Sequence, residues 1–451
     1  MTGIFARKAW LRKGWADHVR FDIRDGRIAG LERGATPGAS DVDVGIVVPG
    51  LCNAHSHAFQ RALAGRTEER PPTGRDDFWT WRERMYALAG RFDAGLLAAV
   101  AAQAYVEMLE CGYTSVVEFH YLHHPRAQER DAAMFDAIRS AANQSGIRLT
   151  YIPVLYERAG FKKSAPADNQ QPFVIDVEQF LEHHAHAVHC RTERINIGIG
   201  AHSLRAVCQE SLQQIAGVAA RANVPMHLHI AEQQDEVQQC MAATGSRPVR
   251  WLLDNHAVDE RWCLIHATHM DADECKALAG TGAVVCVCPS TEANLGDGLF
   301  ALHDFLAAEG RIAIGSDSQV SINPFEELRW LEYGQRLAAR SRNIAAVGDS
   351  HAGQALFARA LAGGALAGGH VPAGLHVGAP ADLVVLDADD PMLVAQDDAT
   401  LLDALVFSGY RLPIERVMVQ GDWHVLDAGH VAREETRAEF AVALDRLWKS
   451  P

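Results

Sequence analysis

Apolar runs separated by stretches of helical period divide this chain into a middle and two ends of different texture. In the middle the runs recur at about 45–51, 112–119, 147–155, 195–201, 224–231, 262–267, 283–288 and 311–316. They are apolar on both faces, as buried parallel strands are. Segments of helical character, such as Leu96 to Cys111 and Gln209 to Ala222, fill the intervals. Eight alternations predict an α/β fold, a closed (β/α)8 TIM-like barrel, over an open sheet. Chemistry in such a barrel belongs at the carboxyl ends of the strands.

The two ends alternate apolar and polar residues instead, as half-exposed antiparallel strands do. Gly3–Ala6, Val19–Ile23 and Gly26–Leu31 are examples, with Asp25-Gly26 as a hairpin turn pair. The texture returns in Ala381–Asp387 and Glu415–Asp422. One small β-sandwich built from both termini follows. The expected division is 1–48 for its first part, 49–370 for the barrel, and 371–451 for its second part with a C-terminal helix. A long insertion, roughly Phe59 to Gly90, holds Arg66–Pro72 and the aromatic segment Phe78-Trp79-Thr80-Trp81-Arg82. On a barrel it reads as a lid. The Ala/Gly-rich stretch Ala358–Gly369 shows no repeat and reads as close helix packing.

Composition narrows the class. The chain has 451 residues, 48% of them hydrophobic, enough for a barrel and a satellite domain. No apolar segment is long enough to cross a bilayer, and no leader pattern opens the chain. A net charge of -15 argues against nucleic acid and anionic membranes as partners. The nine cysteines are an odd number, most of them lie in strand-like or helical runs, and they include no Cys-x-x-Cys pair. They read as buried hydrophobes of a reducing, cytoplasmic compartment.

The candidate chemistry begins at Pro49-Gly50-Leu51-Cys52-Asn53-Ala54-His55-Ser56-His57. Residues two apart on an extended chain point the same way, so His55 and His57 can offer both imidazoles to one ion. Strand five ends His227-Leu228-His229-Ile230-Ala231-Glu232, strand six ends at His266-Ala267-Thr268-His269, and strand eight ends Gly315-Ser316-Asp317. Imidazoles and carboxylates thus fall at four strand ends facing one mouth. Three imidazoles and a carboxylate suit Zn2+ with a position left for water, and a further carboxylate can relay protons. The run His183-His184-Ala185-His186-Ala187-Val188-His189 lies mid-helix and reads as a solvated face or an adventitious binder.

Pro49-Gly50-Leu51 with His55-x-His57, His229-x-x-Glu232, His266 and Asp317 resemble the amidohydrolase superfamily, and within it the mononuclear-zinc aminohydrolases. The resemblance implies His55, His57, His229 and Asp317 as ligands of one zinc, with Glu232, His266 and Asp317 catalytic. His227 and His269 are neighbours only. Two-metal members carry a bridging lysine or glutamate near strand four. Here that strand ends Gly200-Ala201-His202-Ser203-Leu204-Arg205, which favours one zinc and deamination.

Arg205 and His202 after strand four, Tyr121 after strand two, Gln60 after the histidines and Arg82 on the lid suggest a small dianionic substrate, since arginine forks onto carboxylates. The alternative is that both arginines form surface ion pairs. Taken together, His55–Ala62, Phe78–Arg82, Glu118–Tyr121 and Ala201–Arg205 resemble the formimidoylglutamate deiminase family. That resemblance implies a small anionic amino-acid-derived substrate held by Gln60, Arg82, Tyr121, His202 and Arg205, hydrolytic deimination in histidine degradation, and a homodimer. The rival readings are a related aminohydrolase or chlorohydrolase acting on a purine, pterin or triazine, and a zinc-stabilised scaffold without catalysis.

Overall fold

The computed structural model describes residues 2–70, 74, 76–124, 132–161, 165–346, 350–370, 372–409 and 411–449. In chain order the N-terminal strands are β1 (Thr2–Leu11), β2 (Gly14–Arg24), β3 (Arg27–Glu32) and β4 (Val42–Pro49). The middle contributes β5 (Leu51–Ser56), β6 (Tyr113–His120), β7 (Arg148–Leu155), β8 (Ile195–Ile197), β9 (Ile199–Ser203), β10 (Met226–Ile230), β11 (Trp262–His266), β12 (Val284–Val287) and β13 (Arg311–Ile314). The C-terminal strands are β14 (Leu383–Leu386), β15 (Ile414–Val419), β16 (Asp422–Leu426) and β17 (Gly429–His430).

The middle strands pair in parallel in the order β13-β12-β11-β10-β9-β7-β6-β5, with β8 beside β7. A parallel bridge between Ser56 and Asp317 joins the two ends of that order. This is the expected (β/α)8 barrel. β5, β6, β7, β10, β11 and β12 are buried at every position, which is why they read as continuous apolar runs. Gln209–Ala222 is helical with the bounds the periodicity predicts, and Leu96–Cys111 matches α2 (Ala94–Glu110) within two residues. Before α2 comes α1 (Phe78–Ala89), and after it α3 (Ala133–Ser145) and α4 (Val177–His189).

The strands from the two termini form one sheet in the order β17-β16-β15-β14-β4-β1-β2-β3. Ile4, Phe21, Val47, Leu383 and Met418 pack together as its core. Asp25 and Gly26 both have positive φ, as a two-residue turn between right-twisted strands requires. Glu415–Asp422 is not one strand. Gln420 and Gly421, with φ of 47° and 83°, turn the chain into a β15–β16 hairpin.

One sequence expectation is corrected. The apolar run at 45–51 is not the first barrel strand. Its residues to Pro49 form β4, parallel to β1 and antiparallel to β14, and the barrel begins at Leu51. Periodicity could not separate two buried strands that meet head to tail. The break is at Gly50, where a Cβ would lie 2.1 Å from the Thr114 side chain, so the chain passes between sheets only where no side chain exists.

The two sheets are tied by Arg148 on β7, whose buried guanidinium bonds Asp382 just before β14. Asp382 also accepts the Gln420 N–H at 2.9 Å. Arg148→Ala leaves that carboxylate with one backbone donor in a buried setting, and a loss of roughly 3–5 kcal/mol is expected. A lowered urea midpoint, partly restored in Arg148→Ala/Asp382→Asn, is the outcome to look for; an unchanged midpoint means the pair contributes nothing.

Candidate active site

The carboxyl end of β5 is held from two sides. Asn53 donates to Ser316 Oγ at 2.6 Å and accepts the Ser316 N–H at 3.0 Å. The Asp317 N–H donates to the His55 carbonyl at 3.0 Å, and the His57 N–H donates to the Asp317 carbonyl at 3.1 Å. Gly315 lies flat against His55: a Cβ there would sit 2.7–2.9 Å from His55 Cβ, O and N. On the other flank Glu118 accepts from Ser56 Oγ at 2.6 Å and from the Ala58 N–H at 2.8 Å. Burial pushes the Glu118 carboxyl up to about 7, against those hydrogen bonds. The pairing shifts register between Asn53 and Ser56 and between Leu228 and His229, where the chain re-aims its histidines.

Strain gathers at the same end. Ala231 (φ 50°), His266 (67°), Ala267 (48°) and Asp317 (48°) all occupy the left-handed region without being glycine. Such residues persist where surrounding contacts over-determine them, commonly at functional sites.

The Nε2 atoms of His55 and His57 are 3.1 Å apart, and those of His55 and His229 are 3.0 Å apart. Asp317 Oδ1 lies 3.3 Å from His57 Nε2 and 3.6 Å from His55 Nε2. Four ligand atoms around a tetrahedral ion with bonds of about 2.0–2.1 Å lie roughly 3.3 Å from one another. His57 Nδ1–H donates to the Phe119 carbonyl and His229 Nδ1–H to the His202 carbonyl, each at 2.9 Å, which leaves both Nε2 lone pairs facing inward. Burial lowers the pKa of all three imidazoles, that of His57 to about 3, so they are neutral donors at pH 7. His55 Nδ1, buried, has no partner. The donor set fits one zinc ion.

Beside it, His266 Nε2 stands 3.6 Å from Asp317 Oδ2 and 3.8 Å from Glu232 Oε1. Glu292 Oε1 accepts His266 Nδ1–H at 3.2 Å, so Nε2 is turned to the pocket. Burial opposes charge on His266, but Glu232, Glu292 and Asp317 outweigh it and move its pKa well above the ordinary value. Burial raises Asp317 to about 7, with His266 pulling the other way. Glu236 accepts the backbone N–H groups of Ala231 and Glu232 at 3.2 Å each and fixes the bend that presents Glu232. His227 Nε2–H bonds the Ala367 carbonyl and His269 Nε2–H the Asp297 carbonyl, so both are occupied elsewhere.

The mouth carries cations. Arg82 projects from α1, whose start is fixed by a capping box between Asp77 and Thr80. Its guanidinium lies 4.4 Å over the Trp79 ring, and that of Arg205 lies 5.7 Å from the same ring. Neither arginine has a carboxylate within 4.0 Å among the described residues, and the Nε of each is buried without a partner. The surface ion-pair alternative therefore fails for both. Burial opposes the charge on Arg205, which Glu236 and Glu232 nonetheless sustain. Gln60 donates to Tyr121 Oη at 3.0 Å and keeps a buried, unpartnered Oε1. His202, its pKa lowered by burial and by Arg205, packs on Tyr156 with centroids 4.7 Å apart. All five residues line one cavity with His57, His229, Glu232, His266 and Asp317. Pro71 and Pro72 of the lid sequence lie outside the described residues.

Sequence reasoning missed Glu292, Asp297, Tyr156 and Arg158. Tyr156 directly follows β7 and Glu292 sits four residues past Cys288, so strand-end position alone would have flagged both. Asp297 is pushed up to about 9 by burial and by Glu232. Arg158 donates to the carbonyls of Leu204, Arg205 and Val207 and so holds the loop that carries Arg205.

Residues 46–424 match the model of the amidohydrolase family, and residues 1–43 match that of the formimidoylglutamate deiminase HutF N-terminal domain. The chain belongs to the amidohydrolase family. It is 46% identical to the formimidoylglutamate deiminase of Pseudomonas aeruginosa over 99% of this chain and 100% of that protein. Among solved structures, an amidohydrolase from Brucella melitensis superposes with a TM-score of 0.94 at 43% identity, covering 99% of this chain and 100% of that one. The atrazine chlorohydrolase of Arthrobacter aurescens, solved with zinc, superposes with a TM-score of 0.86 at 20% identity over 98% and 100% of the two chains; it shares the fold.

Gly315→Ala is expected to wedge β5 from the Asp317 turn and to lower the zinc content of the purified protein while far-ultraviolet circular dichroism stays unchanged. Full zinc content in that variant would show that the close approach does not position the ligands.

Proposed function

We propose that the protein hydrolyses N-formimidoyl-L-glutamate to N-formyl-L-glutamate and ammonia, a zinc-dependent step of histidine degradation. It is a hydrolase acting on a C–N bond of a linear amidine. The observation that carries the substrate is the pair of guanidiniums at the mouth without carboxylate partners. In a protein of net charge -15, guanidiniums that meet no carboxylate at contact distance among the described residues are suited to a dianion supplied from outside. The full-length likeness to the Pseudomonas aeruginosa deiminase supports the same reading.

In this reading His55, His57, His229 and Asp317 hold one zinc. Zinc in such a set lowers the pKa of a bound water to about 7, making a nucleophile available near neutrality. Arg82 and Arg205 take the two substrate carboxylates, and Gln60, Tyr121 and His202 orient the chain between them. Asp317 accepts a proton from the attacking water while His266 polarises it. The oxygen adds to the formimidoyl carbon. Glu232 then passes both protons of that water to the former imino nitrogen, the one taken by Asp317 and the one left on the added oxygen; the C–N bond to that nitrogen breaks, and ammonia leaves as the formyl carbonyl forms. Protonation of the other nitrogen would expel glutamate, so the reach of Glu232 decides the product.

Glu232→Gln is expected to keep its zinc and lose nearly all turnover in a coupled ammonia assay; normal ammonia release would remove Glu232 from the mechanism. Arg82→Ala and Arg205→Ala should each raise KM for formimidoylglutamate at least tenfold, the scale of a lost charge-assisted pair of about 1.5–3 kcal/mol. An unchanged KM in both would reject the dianion reading. Chelation of zinc should abolish activity while the circular dichroism spectrum persists, and unfolding on chelation would favour a zinc-stabilised scaffold.

A further inference from the structure

We propose a second binding site for a divalent transition metal, outside the barrel lumen, between the carboxyl end of β6 and α4. Side chains alternate at the end of β6. Phe119 and Tyr121 face the active site, where their rings lie 5.6 and 4.9 Å from that of His57. His120 points the other way, into a separate cavity of ≈ 280 Å³. His123, Glu182, His183 and His186 line that cavity with it.

The imidazoles are prepared in the manner of ligands. His120 is 2% exposed, and its Nε2 has no hydrogen-bond partner. Its other ring nitrogen is held by the Leu122 backbone. His123 is 4% exposed and donates Nε2–H to the Val154 carbonyl at 2.8 Å, which leaves Nδ1 as the lone-pair nitrogen. Each ring thus gives its N–H to a backbone carbonyl and keeps the other nitrogen bare, the arrangement that fixes the tautomer of a metal-bound histidine. It is the same arrangement found at His57 and His229.

Burial keeps both rings neutral by lowering their pKa values, that of His120 to about 4. Ring centroids are 6.0 Å apart for His120 and His123 and 6.2 Å apart for His123 and His183. In the catalytic trio they are 4.6, 4.8 and 5.5 Å apart. The outer rings stand farther apart than that trio, so a metal bound here would have to draw His183, part-exposed on α4, inward. Glu182 and His186 stand beside it as further oxygen and nitrogen donors. Imidazoles with one carboxylate select zinc, cobalt or nickel over magnesium or calcium.

Equilibrium dialysis of the full-length protein against Zn2+, followed by elemental analysis, tests the site. Wild type is expected to hold one equivalent more than His120→Ala and one more than His183→Ala. Because His120 is buried and its replacement could disturb the fold, His183→Ala on the outer helix decides the case if that variant is unstable. His189→Ala is the control: its ring bonds the Ala185 carbonyl at 2.6 Å and lies outside the cavity, so its zinc content should equal the wild type's. Equal zinc in wild type and His183→Ala would overturn the proposal. So would an equal loss in His189→Ala, which would mark the helix surface as an adventitious binder.

Discussion

The active end of this protein depends on the seam where the first and last barrel strands meet. Two backbone hydrogen bonds, between Asp317 and His55 and between His57 and Asp317, zip the carboxyl ends of β5 and β13 together. Gly315 makes the approach sterically possible, and Asn53 with Ser316 locks it from behind. The contacts that close the barrel therefore also fix the spacing of three of the four candidate zinc ligands. Fold stability and ligand geometry are one constraint at this point, and that accounts for a left-handed φ at Asp317 in a position without glycine.

Around that seam the charges are grouped by kind. Neutral imidazoles converge beside Asp317, the carboxylates of Glu232, Glu292, Asp297 and Asp317 surround His266, and Arg82 and Arg205 line the same pocket. Burial, with Glu232 and Glu292 nearby, raises the pKa of Asp297 and of Asp317, and a divalent cation bound beside them would offset the cost. The arginines do not neutralise them at contact distance and remain available to an incoming anion. Trp79 lies against both guanidiniums, so α1 and the loop after β9 meet through one indole.

Much of this was legible in the sequence because the relevant signals are local. Apolar runs buried on both faces marked the barrel strands, and His-x-His, His-x-x-Glu and Gly-Ser-Asp sat at their ends. Asp25-Gly26 announced its turn through backbone chemistry alone. Other features were not local. The run through Gly50 was counted as a barrel strand although its part up to Pro49 belongs to the other sheet, because both strands it joins are buried and the contact with Thr114 that forces the break lies far along the chain. The Gln420-Gly421 turn was masked by an apolar pattern that continues on either side. Whether Arg82 and Arg205 are paired is a question of three-dimensional neighbours, which spacing does not encode. Glu292 and Glu118 act through contacts with His266 and Ser56 on other strands, so their roles emerge only on folding.

The sheet built from both termini bears on how the chain is made. β4 sits between β1, which precedes the barrel along the chain, and β14, which follows all of it. During translation one edge of β4 therefore stays open until β14 leaves the ribosome. Because β4 runs through Gly50 directly into the strand that carries His55, the docking of β14 anchors that strand from outside the barrel. Synthesis of β14, rather than emergence of the barrel, is then the event that completes the support beneath the strand carrying His55.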